Sequence, residues 1–273
     1  MSDILKNVPL DKKEAYISTY TPELLFAIPR KSKRDEIGVP EKLPFHGRDY
    51  WMAYEISWLN LQGKPQIAWA QFSFPCDSEC IIESKSMKLY LNSFNQSRYA
   101  SMTEVEEVIR KDYSVLLNCE VEVKLFPPSW DKHPPRQDFT GICVDGLEVE
   151  TDVYQVNANL LKVEEEVVDE AIYSHLLKSN CLVTHQPDWA AVWVHYVGKK
   201  IDHASFLKYI ISFREHYEFH EQCIERIYMD ILNHCKPEKL TVFGKYTRRG
   251  GIEIEPYRSN FESAPQSFKI IRQ

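Results

Sequence analysis

"WAAVWVHYVGKKIDHASFLKYIISFREHYEFHEQCIERIYMDILNHCKPEKLTVFGKYT", residues 189–247, carries the pattern that decides the fold. It opens on WAAVWVHYVG, an apolar and aromatic run with the period of a strand. Two stretches of helical spacing follow, 202–217 and 219–235, and the segment closes on a second strand-like run, KLTVFGKYT. NCLVT (180–184) upstream and GGIEIEP (250–256) downstream read as two more strands. The order is therefore ββααββ. Strands joined in this way, with paired helices on one face, predict an α+β fold with antiparallel sheets and not a doubly wound parallel one.

The first half repeats the theme. AYEISWLN (53–60) and PQIAWAQFSF (65–74), joined by LQGK, predict a hairpin. IIESKSMKLYLNSF (81–94) continues in strand-like fashion, and EVEVKLF (120–126) alternates as a strand. Between them MTEVEEVIRKDYSVLLN (102–118) has helical spacing, with Thr103 placed as N-cap and Glu106 at the third helical position. FPPSWDKHPPRQ (126–137), with four prolines, predicts a linker. It divides the chain into modules 1–137 and 138–273, whose shared order of elements is compatible with a structural duplication. IPRKSKRDEIGVPEKLPF (28–45), charged and proline-punctuated, reads as a surface arm.

Bulk properties narrow the function. A chain of 273 residues that is 44% hydrophobic and 12% aromatic can bury a packed core. A net charge of −7 argues against general affinity for nucleic acid, which demands a basic face. The start, MSDILKNVPLDKKEAY, has acids and lysines where a secretory leader needs an apolar core, and no later stretch approaches the roughly 18 apolar residues of a membrane span. A cytoplasmic protein without a membrane partner is the expectation. Seven scattered cysteines, an odd number, favour free thiols over a disulfide framework. CDSEC (76–80) could begin a zinc site, but no second Cys/His pair at ligand spacing accompanies it.

Three constellations could carry chemistry. The first is SNCLVTHQPDW (179–189). A free cysteine is ordinarily a small buried hydrophobe, yet a turn at HQPD, bent by Pro187, brings Asp188 back beside Cys181. A carboxyl group there would not help ionise the thiol, but held protonated it could donate to whatever the sulfur attacks. The second is EFHEQCIERIYMDIL (218–232), where Ile224, Ile227, Tyr228, Ile231 and Leu232 form the buried stripe of a helix. His220 and Glu221 lie in its first turn, where a structural histidine and a helix-dipole partner are equally ordinary. His216 and His220 followed by Cys223 also imitate a metal face, although the HExxH template is absent; no metal is expected. The third is ESKSMKLYLNSFNQSRY (83–99). Lys85, Lys88 and Arg98 with Tyr90 and Tyr99 read either as a solvated edge strand or as phosphate and ring contacts for a dinucleotide. With nine glycines and no G-x-G-x-x-G, a nucleotide must be held by side-chain cations, and YTRRGGIEI (246–254) supplies two arginines beside paired glycines.

Taken together, ESKSMKLYLNSFNQSRY, LLKSNCLVTHQPDW, FHEQCIERI and YTRRGGIEI closely resemble the NADPH-dependent 7-cyano-7-deazaguanine reductases of queuosine biosynthesis, in their longer two-module form. ESKSMKLY (83–90) meets that family's signature at every position. The resemblance implies two tandem tunnelling-fold (T-fold) modules related to GTP cyclohydrolase I, and a homodimer. It implies that Cys181 attacks a nitrile carbon to give a thioimide, that Asp188, kept neutral by burial, protonates the nitrogen, and that two NADPH complete the reduction to an amine. By the same resemblance Glu221 pairs with the N1–H and 2-amino edge of the deazaguanine, Glu83 is a second recognition carboxylate with Ile82 and Ser84 adjoining, and His220 lies on the substrate side. Ser84, Lys85, Arg249 and Gly250 match positions that meet NADPH; Lys88 and Arg248 join them on charge alone. Two other readings stand beside this one: a cysteine hydrolase or amidase using Cys181 with His185 or His220, and a non-catalytic pterin- or purine-binding module.

Overall fold

The structure, a computed structural model, describes residues 16–273; residues 1–15, which contribute to the expectation of no leader, lie outside them. The chain divides into two compact units. The first comprises Tyr50–His133 with Arg248–Glu253 and the described residues up to Ser32, and the second comprises Lys33–Asp49, Pro134–Thr247 and Ile254–Gln273. One passage between units thus falls within the proline-rich stretch 126–137.

In the first unit, β1 (Ala27–Pro29) pairs antiparallel with β4 (Cys80–Ile82), while α1 (Lys31–Glu36) follows β1 in the chain. The predicted hairpin is β2 (His46–Leu59) and β3 (Pro65–Pro75), with β5 (Glu122–Phe126) antiparallel on the far side of β3. Trp69 and Phe126, opposite each other in that ladder, stack with centroids 4.3 Å apart. Two helices connect β4 to β5: α2 (Ser84–Ser93) and α3 (Met102–Leu117). Val105, Ile109, Tyr113 and Leu117, each four residues apart, make the buried stripe of α3. Its cap is Ser101, not Thr103: the Ser101 hydroxyl accepts from the Glu104 N–H (3.2 Å), and the Glu104 carboxylate reaches back to the Ala100 N–H (2.7 Å).

The second unit is built on long strands. After β6 (Ile142–Cys143), β7 (Val163–Asn180) and β8 (Pro187–Ile201) form an antiparallel ribbon. Helices α4 (His203–Ile211) and α5 (His220–Cys235) follow, then β9 (Lys239–Tyr246) and β10 (Ile252–Ser259). The strand order here is β10-β9-β8-β7-β6, antiparallel except for the short parallel pairing of β6 with β7. The α+β class with antiparallel sheets is as expected. The first half runs β2, β3, β4, α2, α3, β5 and the second β7, β8, α4, α5, β9, β10, so each sets two helices between strands.

Three local readings are corrected. ESKSMKLYLNSF is helical after Glu83 and not a strand, because Met87, Tyr90 and Leu91 bury one helical face. NCLVT is not a strand: β7 stops at Asn180, and residues 181–184 belong to the turn. The segment 28–45 is no solvated arm. Lys33 and Arg34 reach the buried acids Glu218 (2.8 Å) and Glu225 (2.7 Å), and Val39 and Phe45 are buried. Charge patterning announced exposure there; counter-charges far along the chain reversed it. Among the described residues no helix is long and apolar enough to cross a membrane.

Candidate functional site

The turn between β7 and β8 positions the thiol. The last ladder pairs are Ser179 with Asp188 and Asn180 with Pro187. Beyond them the Cys181 N–H donates to the Gln186 carbonyl (2.8 Å) and the His185 N–H to the Cys181 carbonyl (3.0 Å). His185 holds a left-handed φ of 56°, which lets the chain reverse so tightly that the ladder cannot run on through NCLVT. Ser179 and Asp188, opposite each other in the ladder, share one face, and Cys181 follows directly after the last strand residue, at the start of the turn. All three are buried, Cys181 at 8% and Asp188 at 5% exposure. The Thr184 N–H lies 3.5 Å from the sulfur.

The N-terminus of α5 supplies the next two groups. Phe219 is its N-cap and offers no side-chain acceptor to the first turn, which carries His220 and Glu221. His220 Nε2 lies 3.2 Å from Asp188 Oδ2. The ring stacks on Tyr246 at 3.8 Å and 11° between planes, which fixes the direction of its nitrogens. This stacking needs close approach, and Gly244 permits it: a Cβ there would stand 2.5 Å from Ile224 Cδ1. Gly244 and Tyr246, two apart on β9, thus receive Ile224 and His220, four apart on α5. His220 Nδ1 is buried with no hydrogen-bond partner among the described residues, and Glu221 is 2% exposed. The second unit therefore gathers Cys181, Asp188 and His220, with Glu221 on the same helical turn as His220.

His185 stands apart from this group, exposed and edge-on to Tyr217. Burial, with Glu218 nearby, pushes the Cys223 thiol up to about 12, so it stays protonated. His216 Nε2 is 2.7 Å from Glu218, while His220 turns to Asp188, so the triplet His216, His220 and Cys223 does not converge. Among the described residues no three His, Cys, Asp or Glu side chains form a metal-holding group.

The remaining candidates lie in the first unit. Ile82 ends β4, and Glu83 is the N-cap of α2. Its carboxylate accepts from the Lys85 N–H (2.9 Å) and the Ser86 N–H (2.7 Å), a structural duty that the motif alone did not announce. Ser84, Lys85 and Lys88 follow on α2. Tyr90 is fully buried and donates to Asp112 (2.6 Å), while Arg98 donates to the Leu61 carbonyl (2.5 Å), so these two serve the unit's own packing. Arg249 and Ile252 exchange hydrogen bonds of 3.0 and 3.4 Å across a turn containing Gly250 (φ 62°) and Gly251 (φ 79°). A Cβ on Gly250 would stand 3.0 Å from Lys88 Cε, whereas Gly251 faces open space. Arg248 lies 4.4 Å over the Tyr54 ring. A two-glycine turn of positive φ beside Lys88, with Arg248 and Arg249 leading into it, suits a phosphate-bearing group that approaches the backbone closely.

Tyr246 was missed by sequence reasoning. Its signal was the Gly244–Tyr246 spacing opposite His220 and Ile224, legible only once strand and helix are known to pack together.

The antiparallel α+β fold, with a buried thiol, carboxyl and imidazole gathered at a strand turn, is that of an enzyme site more than of a passive binding surface. Residues 16–125 match the family described as "Nitrile reductase, 7-cyano-7-deazaguanine-reductase N-term", and residues 187–265 match "QueF-like protein". The chain is 50% identical over 268 residues to the "NADPH-dependent 7-cyano-7-deazaguanine reductase" of Paraburkholderia xenovorans (strain LB400), covering 97% of this chain and 98% of that protein. Its counterpart from Paraburkholderia phymatum (strain DSM 17167) is 48% identical with the same coverage. Among solved structures, the apo form of the archaeosine synthase QueF-Like aligns with a TM-score of 0.31 and 20% identity, over 36% of this chain and 98% of that one. The chain belongs to the NADPH-dependent 7-cyano-7-deazaguanine reductase family.

Proposed function

We propose that this protein reduces the nitrile of 7-cyano-7-deazaguanine to the primary amine of 7-aminomethyl-7-deazaguanine, a step of queuosine biosynthesis, through a covalent thioimide on Cys181. The observation that carries the mechanism is the burial of Cys181 and Asp188 on the two sides of the β7–β8 turn, with His220 3.2 Å from the Asp188 carboxyl group. A nitrile is a poor hydride acceptor, and addition of sulfur turns it into a polarised C=N bond. The Cys181 S–H bond breaks as sulfur bonds to the nitrile carbon, one π pair moves to nitrogen, and the proton that nitrogen takes up passes through Asp188, which gives up its own and takes the thiol's in return. His220, with Nε2 on Asp188 and Nδ1 unpartnered among the described residues, orients the carboxyl group and keeps a donor or acceptor for the substrate. Glu221 accepts from N1–H and the 2-amino group as a bidentate pair. Glu83, with Ile82 and Ser84 beside it, is the second recognition carboxylate, its remaining lone pairs serving the substrate while its cap holds α2.

NADPH, when bound, supplies one hydride to the thioimide carbon and a second to the imine left after sulfur departs, four electrons in all. Ser84, Lys85, Arg249 and Gly250 are the residues proposed to hold it, with Lys88 and Arg248 adding charge. On the same reading the halves 1–137 and 138–273 are tandem T-fold modules related to GTP cyclohydrolase I. The protein is a cytoplasmic homodimer that binds neither nucleic acid nor membrane. What supports this is the recurring order of strands, two helices and a further strand, and the acidic net charge of −7.

Purified protein with the nitrile and NADPH is expected to oxidise two NADPH per amine formed, followed by nicotinamide absorbance and chromatography. A flat absorbance with release of ammonia would instead mean hydrolysis by Cys181. Gly250→Ala is expected to raise KM for NADPH several-fold while kcat at saturation changes little. A Cβ there meets Lys88 and sits at a φ that costs a non-glycine residue about 1 kcal/mol; fluorescence titration of NADPH gives the same answer independently of turnover.

A further inference from the structure

We propose that Glu218 is a positioning residue for Cys181, acting through the backbone of Asn180. This rests on the thioimide reading above. Cys181 follows directly on Asn180, the last residue of β7, and both backbone groups of Asn180 are held by one segment. The Asn180 N–H donates to the His216 carbonyl (2.7 Å), and the Glu218 N–H donates to the Asn180 carbonyl (3.3 Å). The Asn180 side chain joins in, donating to the Arg214 carbonyl (3.3 Å) and accepting from Lys178 (2.7 Å). The nucleophile's neighbour is thus clamped at a strand end by residues 214–218, which have no regular ladder of their own beyond a single bridge.

Something must hold that segment, and the Glu218 side chain does so. Its carboxylate is fully buried. One oxygen meets Lys33 Nζ (2.8 Å) and Arg226 Nη2 (2.6 Å), and the other meets His216 Nε2 (2.7 Å). Arg226 Nε adds contacts of 3.1 Å to both oxygens. Glu36 lies on the outer side of the cluster, 2.7 Å from Lys33 and 3.2 Å from Arg226. Burial alone would raise the Glu218 pKa, but His216 and Arg226 hold it down at about 2, so the group is a fixed negative charge at any working pH. A buried ion cluster is weak grounds for stability, since taking ions out of water is costly. What it does provide is geometry: donors from α1, α5 and His216 converge on one point and admit one placement of the chain. That point lies beside Asn180 and one residue before the cap of α5.

The test compares wild type with Glu218→Gln, which keeps shape and loses charge, and Glu218→Asp, which keeps charge. Each is mixed with the cyano substrate without NADPH, and the mass added at Cys181 is followed against time, alongside the melting temperature. The expected result is adduct formation slowed at least about tenfold in Glu218→Gln, beyond any loss of folded protein, with partial recovery in Glu218→Asp. Affinity measured in a Cys181→Ala background is expected to differ little with and without Glu218→Gln, because the recognition edge is untouched. A lowered melting temperature with a wild-type adduct rate would make Glu218 merely structural and overturn the proposal. Should Glu218→Gln not fold, Arg226→Lys, which breaks the fork while keeping charge, is expected to slow the adduct likewise, and an unchanged rate there overturns it equally. A wild-type chain that forms no adduct overturns the thioimide reading and this proposal with it, an outcome distinct from failure of the variants alone.

Discussion

Cys181→Ala is expected to abolish the mass added by the nitrile and to lower NADPH-dependent turnover by more than about 10⁴-fold, because the residue supplies the bond that splits a difficult reduction into easier steps. Binding is expected to survive. Glu221 and His220 lie on α5, and the packing that holds them, Gly244 against Ile224 and Tyr246 against the imidazole, does not involve the sulfur. Calorimetric titration with the nitrile should therefore give an affinity near the noncovalent wild-type value. The fold should hold too, since the backbone bonds of Cys181 to Gln186 and His185 that make the turn remain when the sulfur, 3.5 Å from the Thr184 N–H, is removed. Cys181→Ser is the sharper control. A hydroxyl of similar size occupies the same place but is far harder to ionise than a thiol of ordinary pKa about 8.5, so the adduct should again be missing. Turnover that persists in either variant, with two NADPH still consumed per amine, would show that hydride reaches the nitrile without sulfur.

The parts of the fold that were legible in the sequence are those with an unbroken period. In α5, Ile224, Ile227, Tyr228 and Ile231 recur at helical spacing and are all buried, and β8 and β9 are rich in apolar and aromatic residues, β9 being buried at every position after Lys239. The stretch after Glu83 misled because SKSMKLYL alternates polar and apolar residues, and its helical face, Met87, Tyr90 and Leu91, shows only at a longer period. The start of β7 went unread because VEEEVVDE is acidic and solvent-facing, and its strand state comes from pairing with β8, as in Val167 opposite Lys199. Cys181, Asp188, His220 and Glu221 could be found because each lies in a short motif of unusual composition. Lys33 could not: it meets Glu218 from far along the chain, and nothing local distinguishes a buried lysine from a solvated one.

Asp188→Asn is expected to slow adduct formation by about 10² to 10⁴-fold, the range lost when a placed proton donor is removed. The substitution is close to isosteric, and an amide can still bond His220 Nε2 across the 3.2 Å that separates the groups now. The imidazole therefore keeps its orientation on Tyr246, and the melting temperature should change little. What the amide lacks is a transferable proton. Attack of sulfur on the nitrile places charge on nitrogen, and without the Asp188 proton the adduct reverts before it is trapped. Rapid-quench mass spectrometry without NADPH isolates that step from hydride transfer. Noncovalent affinity, measured in a Cys181→Ala background, is expected to stay within about threefold of the parent, since the carboxylate proposed to read the substrate edge is Glu221. An adduct rate equal to wild type would take Asp188 out of the proton path and pass the role to His220, whose Nδ1 has no partner among the described residues. His220→Gln would then show the larger loss, whereas with Asp188 as donor it should cost less than Asp188→Asn, because an imidazole that only orients the acid is missed less than the acid itself.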